Sequence, residues 1–246
     1  MGKRIISQRR GRGTPTYIAH SSRWNLIVRH RKYDEIEKTS AVKGKIIDIK
    51  HNQGFLAPIA VVQYENDRKL VNIFAPEGVR VNDEIQSGIN AELKTGSTLP
   101  IKNIPEGTMI YNIEIKPGDG GKLCRSPGIT TKLISHLGEE TLVQLPSKKQ
   151  KRLNGYCRAT VGTITGKGRK DKPFVKAGKV HHIMRARGKL YPRTSGVAMN
   201  AVDHPFGSGR GRQHAKVKSP SRFAPPGRKV GPIGARKSGR SKGSKR

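Results

Sequence analysis

The chain has only two cysteines in 246 residues, Cys124 and Cys157. A disulfide framework needs more of them and a structural zinc site needs clustered ligands, so both are expected as reduced, partly buried thiols of a cytosolic protein. Aromatic residues make up 5% and hydrophobic residues 33%, too few for one apolar core to extend through the whole length. No stretch approaches the ~20 apolar residues that cross a bilayer. The opening Met1-Gly-Lys-Arg-Ile-Ile-Ser-Gln-Arg-Arg contains no apolar run of secretory-leader length. Neither a membrane partner nor secretion is expected. Acid is scarce too: 17 Asp+Glu stand against 50 Lys+Arg, a net charge of +33 with histidine neutral. A surplus of that size calls for a large polyanionic partner.

The cations are unevenly placed. Residues 1–35 carry a net +7, residues 36–108 are neutral, residues 109–175 carry +8, and residues 176–246 carry +18 with a single acid, Asp203. The last segment repels itself and is rich in Gly and Pro, so it reads as a basic C-terminal extension that gains order only when counter-charge surrounds it. Residues 1–35 read as a basic N-terminal extension of the same kind, with Arg9, Arg10, Arg12, Arg23, Arg29, Arg31 and Lys32. Tyr17 and Trp24 give it a docking point, on the protein or against a base.

Between the extensions the pattern is all-β. Lys45-Ile-Ile-Asp-Ile-Lys, Ile59-Ala-Val-Val-Gln-Tyr and Leu70-Val-Asn-Ile-Phe are strand-length runs. Turn residues at His51–Gly54, Glu65–Asp67 and Pro76–Gly78 separate them, which predicts a small antiparallel barrel over 36–108. In Met109–Lys116 the apolar side chains fall on 109, 111, 113 and 115, the alternation of a half-buried strand. Lys132–Leu137 and Thr141–Leu145 continue that set, Gly138-Glu-Glu140 being the hairpin turn. Ala159–Ile164 closes it, which predicts a second small barrel over 109–175. Gly118–Pro127 and Ser147–Arg152 are read as basic loops. A short helix is expected at 176–187, with Val180, Ile183 and Met184 on one face and Arg185 and Arg187 off it.

Catalytic motifs fail on spacing. Gly162-Thr-Ile-Thr-Gly-Lys-Gly168 is one residue short of a phosphate-cradling loop and lacks its Ser or Thr. Gly207-Ser-Gly-Arg-Gly211 has Arg212 where a dinucleotide loop needs its third glycine. His181 and His182 are adjacent, so on a helix their rings point ~100° apart, and His204 and His214 have no cysteine beside them. No metal site, catalytic residue or cofactor is expected; any Mg2+ would accompany a nucleic-acid partner such as RNA. Asp203, alone among cations, requires a specific partner: a turn N–H, an arginine such as Arg210 or Arg212, a base edge or a hydrated magnesium ion. A general base formed by His204 and oriented by Asp203 is the one enzymatic reading the chain offers.

Gly196-Val-Ala-Met-Asn-Ala-Val-Asp-His-Pro-Phe-Gly207, followed by Gly209 and Arg212, closely resembles the signature segment of the universal ribosomal large-subunit protein L-two family. Asp83–Asn90, Gly96–Gly107, Ile113–Gly128, Cys157–Gly162 and Lys176–Val180 also match, so the likeness covers nearly the whole chain. Ala201 and Phe206 stand where the bacterial form has proline and histidine, which resembles the archaeal or eukaryotic branch. Ser208 replaces a common glycine.

The resemblance implies an oligonucleotide-binding-type barrel followed by an SH3-like barrel, with extensions threading into ribosomal RNA. It further implies a cytoplasmic structural role in the large subunit. That role includes assembly, subunit association at the interface with the small subunit, contacts with neighbouring ribosomal proteins, and support of the RNA around the peptidyl-transferase centre. Met199, Asn200, Asp203, His204 and Pro205 correspond to the family's inner tail, the chemistry there belonging to RNA.

Arginine forks onto phosphate and stacks on unpaired bases. Taken with what the resemblance implies for the inner tail, the expected RNA-contacting set comprises Arg9, Arg10, Arg12, Arg125, Ser126, Arg158, Arg185, Arg187, Arg193, Met199, Asn200, Asp203, His204, Arg210 and Arg212. The rival reading is an architectural DNA-binding protein, which charge alone does not separate from an RNA-binding one. Preference for folded RNA over duplex DNA at matched salt does.

Overall fold

Strand β1 (Ala41–Lys50) sets the architecture because it pairs on both sides. Val42, Gly44 and Ile46 point inward while Lys43 and Lys45 face solvent, the period-2 pattern of a strand with one buried face. Gly44 is needed there, since a Cβ would come within 2.8 Å of the Val62 and Tyr64 side chains. The computed structural model describes residues 2–18, 20–23, 25–66, 69–169, 171–209 and 219–235. These fall into two compact units, one of residues 20–174 and one formed by the two extensions, 1–19 with 175–246.

In the first unit, β2 (Ile59–Tyr64), β3 (Leu70–Phe74) and β4 (Glu84–Gly88) join β1 in antiparallel register. Their core is Val42, Ile46, Ala60, Val62, Tyr64, Ile73 and Ile85. The strands β5 (Thr98–Pro100), β6 (Met109–Tyr111), β7 (Thr131–Leu137), β8 (Glu140–Gln144), β9 (Gln150–Asn154) and β10 (Arg158–Val161) enclose a second core. Leu99, Ile101, Ile104, Ile110, Ile113, Leu133 and Val143 lie in it.

The fold is all-β, as expected, but its ten strands form one sheet that does not close among the described residues, in the order β3-β2-β1-β4-β5-β10-β6-β7-β8-β9. A parallel bridge from Ser87 to Thr98 joins the two sets. Strand β5, read from sequence as the end of the first module, hydrogen-bonds with β10 in the second. Tyr111 links the sets again by donating its hydroxyl to the Phe74 carbonyl at 3.1 Å.

Two further elements depart from the sequence reading. The strand expected over 109–116 stops at Tyr111 because Asn112 adopts φ 49°, and Met109 and Ile115 are left exposed. The basic loop at 147–152 is in part β9, an edge strand with Leu153 inward and Lys151 and Arg152 along it. The opposite edge, β3, is covered: Val28 bridges Asn72, and the Arg29 N–H donates to the Asn72 carbonyl at 3.1 Å.

The segment from residue 20 onward therefore packs with the sheet instead of behaving as part of a basic arm. Val28, His30 and Arg31 are all buried. Helix α2 (Glu35–Thr39) follows, capped by the Asp34 carboxylate, which accepts the Glu37 N–H at 3.1 Å.

In the unit of extensions, α1 (Ile6–Arg10) ends in Arg9 and Arg10, and α3 (Ala177–Ala186) lies within the 176–187 expected from sequence.

Candidate nucleic-acid interface

The most buried cation is Arg158, 1% exposed at the head of β10. Its Nε and Nη2 donate to Glu114 Oε1 at 3.2 and 2.8 Å, and its Nη1 donates to the Arg31 carbonyl at 2.8 Å and to Glu37 Oε2. The Arg158 backbone N–H reaches Glu114 Oε2 at 2.9 Å, and the guanidinium lies 4.9 Å from the Tyr33 ring centroid. Both carboxylates are fully buried and find further donors. Glu37 accepts from the Ser87 hydroxyl at 2.6 Å, and Glu114 accepts from the Gly118 and Gly120 N–H groups at 3.1 and 2.9 Å.

Burial raises the Glu37 carboxyl above its ordinary range, against the pull of Arg158. Burial acts the same way on Glu114, but the Arg158 hydrogen bonds and charge outweigh it and hold that carboxyl below its usual value. Arg31 completes the cluster with Asp34 at 2.7 Å and Glu37 at 3.7 Å. Arg158 is thus a correction to the expected RNA-contacting set, because its charge is neutralised inside the protein. The signal was an arginine among Cys157, Ala159 and Val161, an apolar strand in which a cation requires acids.

Other residues of that set on this unit are partly enclosed. Arg125 donates Nη2 to the Val28 carbonyl at 2.7 Å and sits 5.0 Å from the Phe74 ring centroid. Ser126 is half-buried, its carbonyl accepting the Ile129 N–H at 3.3 Å in a turn. Cys124 is half-buried, and burial pushes the Cys157 thiol up to about 11, so it stays protonated at neutral pH.

The signature segment folds in the other unit as a closed loop. The Asp203 and His204 N–H groups both donate to the Asn200 carbonyl, at 3.0 and 3.1 Å, and Ser208 N–H donates to Met199 at 3.2 Å. Gly196 lies flat against the His204 imidazole, where a Cβ would stand 2.3 Å from the ring; at Gly207 one would stand 2.3 Å from the Asn200 carbonyl oxygen. These contacts explain both glycines of the motif. Ser208 holds φ 63°, a conformation that costs a residue with a Cβ about 1–3 kcal/mol.

The partner Asp203 requires is Lys3, whose ammonium is 3.2 Å from its carboxylate while the Lys3 N–H donates to the Val202 carbonyl at 2.7 Å. Sequence gave no sign of a pair separated by nearly the whole chain. The His204 Nδ1 accepts the Phe206 N–H at 3.0 Å, which removes that nitrogen from a base role. The dyad of His204 oriented by Asp203 is not supported.

Two clefts gather other expected residues. One, of about 530 Å³, is lined by Ile5, Arg193, Val197, Met199, His204 and Phe206; the other, of about 580 Å³, places Arg10, Arg187 and Arg193 together. Arg9, Arg12, Arg185 and Asn200 are exposed outside them. Arg210 and Arg212 lie outside the described residues. Among the described residues no cluster of three His, Cys, Asp or Glu could hold a metal ion, and no helix is long and apolar enough to cross a membrane.

These features define an all-β scaffold that carries exposed guanidiniums on its extensions. Residues 94–224 match the family model described as Ribosomal Proteins L2, C-terminal domain. The large ribosomal subunit protein uL2 of Methanothermobacter thermautotrophicus is 52% identical over 98% of this chain and 99% of its own. That of Haloarcula marismortui is 52% identical over 98% of each chain, and that of Methanococcus maripaludis is 52% identical over 98% and 100%. The chain belongs to the ribosomal protein L2 family, in its archaeal type, and is not an enzyme.

Proposed function

We propose that this chain is a structural constituent of the large ribosomal subunit in the cytoplasm, where it binds large-subunit ribosomal RNA. In this reading it also supports subunit assembly, association with the small subunit and the RNA of the peptidyl-transferase region, alongside neighbouring ribosomal proteins. The observation that carries the reading is the convergence of Arg10, Arg187 and Arg193 from both extensions on one cleft that, among the described residues, is lined by no acid. The one acid of the C-terminal extension is already paired with Lys3. A cationic surface without internal counter-charge gains its stability from phosphates, and each phosphate neutralised releases counterions.

The sheet unit supplies a fixed body, its internal acids holding Arg31 and Arg158, while the extensions present the surplus charge. The test is chemical footprinting of large-subunit RNA with and without the full chain, beside duplex DNA at matched salt. Protection of defined RNA positions, with affinity falling by ~10³–10⁵ between roughly 50 and 200 mM salt for about ten phosphate contacts, is the expected result. Equal affinity for duplex DNA would favour the architectural DNA-binding reading instead.

A further inference from the structure

The cleft of about 580 Å³ carries more than charge. We propose that its walls Arg10, Tyr17, Arg187, Lys189, Tyr191 and Arg193 hold one unstacked nucleotide of a bulged or single-stranded RNA segment, its base against the tyrosines and its phosphates on the cationic rim. The proposal rests on the RNA-binding reading above and deepens it. The volume is within the ~300–1,000 Å³ of sites that enclose small ligands.

Four of the lining side chains are cations and, among the described residues, none is an acid, so an anion entering meets attraction without a repelling charge. Met184 and Leu190 add apolar surface, and both tyrosines are half-buried, leaving part of each side chain open. Tyrosine and guanidinium planes are the surfaces on which splayed-out RNA bases stack. A phosphate-only site would need the cations but has no use for two aromatic rings and an apolar floor.

The walls come from distant parts of the chain and meet at one residue. Gly188, at φ 60°, follows the end of α3, and a Cβ there would stand 2.8 Å from the Ile18 carbonyl oxygen and 3.2 Å from that of Tyr17. Only glycine permits this approach, which brings the Tyr17 backbone against the turn bearing Arg187 and Lys189. That turn is itself fixed: Arg187 N–H donates to the Ile183 carbonyl at 3.1 Å, Gly188 N–H to Arg185 at 3.0 Å and Lys189 N–H to Met184 at 2.9 Å. The cleft is therefore formed before any ligand enters it.

The experiment uses the full chain and two RNA hairpins identical except at one bulged position, an adenosine in one and an abasic residue in the other. Affinity is read by fluorescence anisotropy across a salt series. The wild-type chain is expected to prefer the adenosine bulge by ~5- to 150-fold, the range for one base stacked on an aromatic side chain. Tyr17→Leu with Tyr191→Leu should abolish that preference while leaving the salt slope unchanged, since no charge is lost. Gly188→Ala, which forces the walls apart, should reduce the preference with both rings intact. Arg187→Gln should instead weaken both hairpins equally and lower the salt slope by about one.

Equal wild-type affinity for the two hairpins overturns the proposal, and that comparison needs no variant to fold. A tyrosine double variant that melts like the wild type yet keeps the preference overturns it too. Failure of the RNA-binding reading shows elsewhere, as equal wild-type affinity for folded ribosomal RNA and duplex DNA.

Discussion

Replacing Arg158 by methionine tests whether this arginine holds the fold or contacts RNA. The substitution keeps a long side chain but leaves two fully buried carboxylates, Glu37 and Glu114, without the guanidinium that bridges them, and deprives the Arg31 carbonyl of a donor. Removing one partner of a buried pair costs about 3–5 kcal/mol. Arg158, Glu37 and Glu114 are out of reach of solvent screening. At ~2–4 °C per kcal/mol for a chain of this length, the melting midpoint should fall by roughly 6–20 °C.

The assay is urea and thermal denaturation of the full chain at pH 7, followed by circular dichroism. Combining Arg158→Met with Glu37→Gln and Glu114→Gln should recover roughly half of the loss, because the uncompensated charges are gone; the Ser87 hydroxyl keeps an acceptor, while the Gly118 and Gly120 N–H groups, which reach different Glu114 oxygens, are left with one amide oxygen between them. A loss below about 1 kcal/mol, together with a salt slope of RNA binding reduced by about one, would refute the buried-anchor account and restore Arg158 as a phosphate contact.

His30 makes the fold sensitive to acid. Burial, then the Arg158 charge, lowers its pKa from 6.5 to about 4, while its Nε2 lies 2.6 Å from the Asn112 carbonyl. Because the folded pKa is depressed, the unfolded chain binds the proton first, and stability falls as pH drops from about 6.5 toward 4, by on the order of 3 kcal/mol. Urea midpoints at pH 7 and 4.5 should show this decline, and His30→Gln should flatten it; an unchanged slope in the variant would assign the decline to other groups. Gly196→Ala should displace the His204 ring, seen as a shift of its imidazole resonances and faster amide exchange at Ser208, and an unmoved resonance would contradict the packing described. Ser208→Gly should slow that same exchange by relieving the positive φ, by about 1 kcal/mol, and faster exchange would show the serine unstrained.

The legible parts of the sequence were those whose side chains report their own environment. Ile59–Tyr64 and Leu70–Phe74 are Ile- and Val-rich because they pack on the core, and both are strands. The first three residues of Gln150–Asn154 were read as loop because an edge strand turned to solvent needs one inward residue, Leu153, and tolerates cations elsewhere. Glu84–Gly88 was hidden in the same way, with Ile85 its one apolar core residue.

The arginines were harder still. The apolar neighbours Cys157, Ala159 and Val161 mark Arg158 as a cation that needs acids, but the Glu37 and Glu114 that supply them are distant in sequence and could not be named. Asp203 could be recognised as needing a partner, yet Lys3 could not be named, because only the fold of the extensions brings residue 3 to residue 203. The signature loop was found through resemblance; the reason for its glycines required the imidazole and carbonyl that press on them.

Strand β9 has one side paired to β8 and, among the described residues, no partner on the other, so its outward amides and carbonyls could template a foreign strand. Lys151 and Arg152 make that approach a meeting of like charges. Two copies approaching edge to edge along β9 therefore repel each other, so the exposed ladder of hydrogen-bonding groups is guarded against self-pairing by the side chains it carries.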